Sequence, residues 1–196
     1  MFDPSADSPS PAPAARPDTH PYRVLGIDPG LTRCGYAVVS MSSSRQISPI
    51  SMGVVRTDRQ HDLADRLAQL HIDIEALLEE FTPNAVAIER VFFQNNVRTA
   101  MSVAQASGVV IALARRRGCE VAHYTPSQVK DAVAGWGGAD KQQVQKMVKA
   151  RLGLESIPKP ADAADAAAIA LCHCACAPFM QRQLASQSAV IQVVGQ

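Results

Sequence analysis

Three β-type runs follow one another at hairpin distance, and two more each come after a helix-length stretch. Val24–Asp28 is a short apolar run of the kind that forms a buried strand. Gly30 and Gly35 bracket a turn, Gly35–Ser40 reads as a second strand and Ile50–Thr57 as a third. Links this short favour an antiparallel meander. From Leu63 to Phe81, the residues Leu63, Leu67, Leu70, Ile74, Leu77 and Leu78 fall at helical spacing, and Pro83 and Asn84 mark the end. Ala85–Glu89 then reads as a buried strand, Arg98–Arg117 as a helix closed by Gly118, and Glu120–Tyr124 as a fifth strand. Gln128–Val133 predicts a short helix, the loop Gly135-Trp136-Gly137-Gly138 leads to a helix over Ala139–Leu152, and a last helix covers Ala161–Cys176. A meander followed by helical, parallel crossovers predicts an α/β fold: a five-stranded mixed sheet with helices on both faces.

The 196 residues suit one such domain, expected over 22–177, between two tails. Residues 1–21 carry six of the thirteen prolines and too little apolar surface to fold, so disorder is expected there. The polar stretch 178–196 reads as a flexible C-terminal tail. No apolar run approaches the roughly 18 residues of a membrane span, and the N-terminus lacks the apolar core of a secretory signal. Five widely spaced cysteines (Cys34, Cys119, Cys172, Cys174 and Cys176) argue for reduced thiols and a cytosolic location.

Four acids stand where apolar sequence runs out. Asp28 ends Val24–Ile27, Glu89 ends Ala85–Ile88, and Asp162 and Asp165 open the alanine-rich last helix. A buried carboxylate is costly unless a positive charge offsets it. No Lys, Arg or His adjoins Asp28, Asp162 or Asp165, and only Glu89 has such a neighbour, Arg90. Acids offered from three segments suggest oxygen ligation of a metal and phosphodiester chemistry. Taken singly the acids have plainer readings: Asp28 as a turn former before Pro29-Gly30, and Asp162 with Asp165 as an N-cap and a first-turn acid. Glu89 stands in so apolar a stretch that a functional role is favoured. The alanines at 161, 163, 164, 166, 167, 168 and 170 would let the last helix approach the sheet and carry its acids to the strand ends. Net charge is only +1, but residues 98–151 hold nine Lys/Arg against three acids. That asymmetry suits an enzyme gripping a polyanion and equally a solvated helix face.

Gly26-Ile27-Asp28-Pro29-Gly30, Ala87-Ile88-Glu89 followed by Val91-Phe92-Phe93, Tyr124–Lys130 (YTPSQVK) and Asp162–Ala170 (DAADAAAIA) together resemble the RuvC family of bacterial Holliday junction resolvases. The first motif alone also resembles the phosphate loop of actin-like ATPases, but a chain this short lacks their second half. The resemblance implies a ribonuclease H-like fold. It also implies an endonuclease that cuts four-way DNA junctions by paired symmetric nicks, leaving 5′-phosphate and 3′-hydroxyl ends. The family's metal-binding catalytic acids fall on Asp28, Glu89, Asp162 and Asp165, and its functional lysines on Lys130 and Lys141. Without the resemblance those lysines read as helix surface. Phe92 matches the aromatic used at the junction centre, and Phe93 beside it is a second candidate for DNA contact. Two Mg²⁺ or Mn²⁺ ions, roughly 3.5–4 Å apart, would activate water and stabilise the leaving oxygen. A homodimer and partnership with the RuvA–RuvB branch-migration machine are implied as well. Ser107 departs from the family's usual Arg. Cys172-His173-Cys174-Ala175-Cys176 does not read as a zinc site, because helical i, i+2 residues face different ways.

Overall fold

Alternation along the strands decides which side chains meet which helices, and through them where the site lies. The computed structural model describes residues 21–90 and 97–176, and the side chains of all of these except 97–99. The expected disordered segment 1–21 (but for Pro21), the C-terminal tail, Phe92 and Phe93 lie outside the described residues. The strands are β1 (Tyr22–Asp28), β2 (Arg33–Met41), β3 (Ile47–Arg56), β4 (Ala85–Glu89) and β5 (Glu120–Tyr124). The helices are α1 (Leu63–Phe81), α2 (Val97–Arg116), α3 (Pro126–Ala134), α4 (Lys141–Arg151) and α5, residues 161–176.

The sheet has the order β3-β2-β1-β4-β5. The first three strands pair antiparallel, and β4 is parallel to both β1 and β5. This is the mixed sheet expected, with β4 beside β1 in the centre. Leu25, Ile27, Val38, Val86 and Ile88 point to one face and bury against Leu70, Ile74, Leu77 and Leu78 of α1 and Val110 and Leu113 of α2. Val24, Ala37, Val39, Ala87, Ala122 and Tyr124 point to the other, where α3, α4 and α5 pack.

The α5 face is built from small residues. A Cβ on Gly26 would lie 2.2 Å from the Ala166 carbonyl oxygen, and one on Gly35 2.2 Å from the Asp162 carbonyl oxygen. Helix and sheet backbones therefore touch, which only glycine permits. Ala163, Ala164, Ala166, Ala167, Ala168 and Ala170 are all buried, as the alanine pattern suggests, whereas Ala161 is exposed.

Several boundaries differ from the sequence expectation. β1 starts at Tyr22 and β2 at Arg33, earlier than their apolar runs. β3 starts at Ile47 rather than Ile50: Pro49 sits on this edge strand, beside a register shift at Val38/Val39. A proline is tolerated where no ladder bond is needed. α3 starts at Pro126 because Thr125 is its N-cap, with Pro in the first turn. α4 is two residues shorter at its start, where Asp140 caps it, and one shorter at its end.

Candidate active site

The pleat that sends Ile27 and Ile88 to the α1/α2 face turns the next residue of each strand to the α5 face. Ile27 and Ile88 are in register, so Asp28 and Glu89 follow side by side on neighbouring parallel strands. On α5, the i, i+3 pair Asp162 and Asp165 lies in the first turn. Contact between α5 and the two glycines fixes that turn near the strand ends. Asp28, Glu89, Lys130, Lys141 and Asp165 line one cleft of about 230 Å³, closed behind by Val129, Val144 and Ile169. Asp162 stands at its side, close enough to act electrostatically on Asp28.

The lysines are held by well-capped helices. Thr125 and Gln128 form a reciprocal capping box at the start of α3, with bonds of 3.2 and 2.9 Å. Asp140 and Gln143 do the same for α4 at 2.8 and 2.9 Å. Each box satisfies two end N–H groups and fixes the helix entry. Lys130 thereby projects from α3, and Lys141 is the first residue of α4.

Charge in the site is unevenly balanced. Burial, then the neighbouring carboxylates of Asp165, Glu89 and Asp162, push the Asp28 carboxyl up to about 7, with Lys141 opposing. Burial and Asp165 also push Glu89 up, against Lys141 and Lys130. Lys141 Nζ donates to Asp165 Oδ2 at 2.6 Å, and that bond raises the lysine's own affinity for its proton. Burial disfavours the ionised Asp162, but the Arg33 guanidinium outweighs it and holds the carboxyl below its usual value. Arg33 donates to Asp162 Oδ2 through Nε at 3.0 Å and also through an Nη. Asp162 and Asp165 have cationic partners brought from β2 and α4 rather than from flanking positions.

The donors are carboxylate oxygens from three elements, without sulfur or imidazole, which suits a hard divalent cation. Mutual repulsion of the kind felt at Asp28 is what such a cation relieves. Asp162 is bonded to Arg33 and Asp165 to Lys141. Among the described residues, no three His, Cys, Asp or Glu side chains form a group arranged to hold a metal.

Sequence reasoning missed Arg33, Gly26 and Gly35. Glycine inside a strand is a signal for close backbone approach, and it was available at both positions. Nothing local signals Arg33, whose partner lies 129 residues away. The cysteine-rich stretch of α5 serves packing. Cys172, His173 and Cys174 are buried, and His173 lies 3.1 Å from the Tyr22 hydroxyl and 2.9 Å from that of Tyr124. Ser107 is buried, and its Oγ has no hydrogen-bond partner among the described residues. Trp136 is half exposed, its ring lying over Gly138.

The chain is 51% identical over 170 residues to a crossover junction endodeoxyribonuclease RuvC of Rhodococcus jostii, covering 87% of this chain and 90% of the relative. It is 55% identical over 160 residues to the one from Streptomyces griseus, covering 82% and 78%. Among solved structures it resembles Thermus thermophilus RuvC in complex with Holliday junction substrate, at 39% identity and a TM-score of 0.77, covering 82% and 96%. Residues 24–173 match the family described as crossover junction endodeoxyribonuclease RuvC, and the chain therefore belongs to the RuvC family.

Proposed function

We propose that this chain is a crossover junction endodeoxyribonuclease that resolves four-way DNA junctions by paired symmetric nicks. The observation that carries the mechanism is the single cleft uniting Asp28, Glu89 and Asp165 with Lys130 and Lys141. Acids that repel one another beside two fixed cations form a site for metal and phosphate together. Asp28, Glu89, Asp162 and Asp165 would hold Mg²⁺ or Mn²⁺, two ions per site. Bound there, the metal supplies an activated water and charge stabilisation at the leaving 3′-oxygen, giving 5′-phosphate and 3′-hydroxyl ends.

The protein's own groups do the rest. Lys141, kept protonated by Asp165, offsets the charge of the acids before metal arrives and faces the phosphate afterwards. Lys130, from the neighbouring helix, grips the DNA backbone and sets its register. The strand ends hold Asp28 and Glu89 rigid, so the reacting phosphate is positioned rather than chased. Phe92, three residues after β4 in sequence, would stack on bases at the junction centre, and Phe93 is a second candidate for DNA contact.

Symmetric nicking of a twofold junction needs two copies related by a dyad, so the working form is a homodimer. Its substrate would come from the RuvA–RuvB branch-migration complex in the bacterial cytoplasm. No helix among the described residues is long and apolar enough to cross a membrane.

One gel tests the reading. The protein is incubated with a mobile four-way junction, a linear duplex and an RNA–DNA hybrid, each with Mg²⁺ and with chelator. Paired nicks in the junction alone, abolished by chelator, are expected. Cleavage of the hybrid in preference to the junction, or cleavage in chelator, would overturn it.

A further inference from the structure

Arg33 stands outside the cleft lining, and it belongs to no motif of the sequence. Its place follows from the strand register. Asp28 pairs with Gly35 across β1 and β2, so Arg33 lies two residues beyond the end of β1 on the same face as Gly35. That position overhangs the first turn of α5. β2 therefore holds Asp162 twice. Gly35 lets its strand touch the Asp162 backbone, since a Cβ there would lie 2.2 Å from the carbonyl oxygen. Arg33 holds the side chain through Nε and an Nη.

The pattern of these bonds is informative. A guanidinium meeting a free carboxylate often takes both oxygens side by side. Here both donors converge on Oδ2, and neither goes to Oδ1. We propose that Arg33 is a positioning residue for metal binding, which holds Asp162 by Oδ2 and so presents Oδ1 to the cation. The proposal rests on the reading of Asp162 as a metal ligand. A carboxylate in the first turn of a helix has a choice of rotamers, and only some face the strand ends. A partner on the outer oxygen removes that freedom, and losing such an outer partner typically weakens metal binding by about 10–100-fold. Lysine is a poor substitute, because one ammonium lacks the planar pair of donors that fixes orientation.

Lys141 differs in kind. It bonds Asp165, lines the cleft, and is placed to meet phosphate. Arg33 touches the acid from the side and would act only through it.

Mn²⁺ binding to the full chain, measured by calorimetry without DNA, tests the proposal, with metal-free melting curves on the same samples. Arg33→Ala should weaken Mn²⁺ binding by about 10–100-fold and Arg33→Lys by less. In an Asp162→Asn background, Arg33→Ala should cause no further loss. Wild-type or tighter affinity in Arg33→Ala would overturn the proposal, because the guanidinium would then be a bystander or a competitor of the metal. A further loss in the Asp162→Asn background would overturn it too, by showing that Arg33 acts elsewhere. Should Arg33→Ala fail to fold, wild-type affinity in Arg33→Lys would overturn it. Failure of the underlying reading looks different: the parent protein takes up no Mn²⁺, or Asp162→Asn binds it as tightly as the parent.

Discussion

The two faces of the sheet are built on opposite rules. Toward α1 and α2 the strands present Leu25, Ile27, Val38, Val86 and Ile88, which interlock with leucines and isoleucines. Toward α5 they present Gly26 and Gly35, and the helix answers with alanines. Large aliphatic side chains supply most of the burial free energy, at about 25 cal/mol per Å². Small ones supply less but bring backbones into contact. The first face stabilises the domain, and the second sets the distance between acids on a helix and acids on strands. The same strands serve both, because a pleat sends neighbouring residues to opposite sides.

Substitutions on the two faces should therefore fail differently. The largest effect is expected from Asp28→Asn, which should abolish nicking while junction binding persists in a gel-shift assay. Retained cleavage would remove Asp28 from the mechanism. Next come paired substitutions of neighbours on β1. Gly26→Ala pushes α5 off the sheet, and misplacement of about 1 Å should cut nicking per folded molecule by about a hundred-fold. Leu25→Ala opens a cavity on the other face and should cost about 2–5 kcal/mol of stability in urea unfolding. Its folded fraction should nick at close to the parent rate. If Leu25→Ala lost as much activity per folded molecule as Gly26→Ala, the division of labour between the faces would be wrong.

The smallest effect is electrostatic. The Asp28 carboxyl is pushed up to about 7 in the folded, metal-free protein and is near 4 when unfolded. Between those values the folded state keeps a proton that the unfolded chain has lost, so stability falls as pH rises through the window. Asp28→Asn should flatten that slope and, in chelator, exceed the parent's stability at pH 8. Denaturant melts at pH 5 and pH 8 check the sign. A parent that gains stability across this window would contradict the burial and repulsion assigned to Asp28.

Much of this arrangement was legible in the sequence, for physical reasons that can be named. α1, β4 and β5 run as expected over Leu63–Phe81, Ala85–Glu89 and Glu120–Tyr124, because a helical period or a sharply bounded apolar run marks each. Asp28 and Glu89 stood out because each interrupts such a run. The sheet class followed from the lengths of the links. Strand starts were harder: Arg33 joins β2 by pairing with Arg56 and Ile47 joins β3 by pairing with Met41, beyond the apolar runs that mark the two strands. The Arg33–Asp162 bond spans 129 positions and depends on register, so residue spacing could not reveal it. The acids lack flanking cations in sequence, yet Asp162 and Asp165 meet Arg33 and Lys141 in the fold. Adjacency in sequence says little about adjacency across a sheet. Phe92 and Phe93, assigned to DNA contact by resemblance, lie outside the described residues.

The central claim is that the small-residue face gathers four acids for one purpose. Crystals of the protein soaked in Mn²⁺ and measured at the manganese edge test it most directly. Anomalous peaks are expected between the ends of β1 and β4 and the first turn of α5, with Asp28, Glu89, Asp162 and Asp165 supplying the oxygens. Manganese bound only elsewhere, away from these four carboxylates, would contradict it.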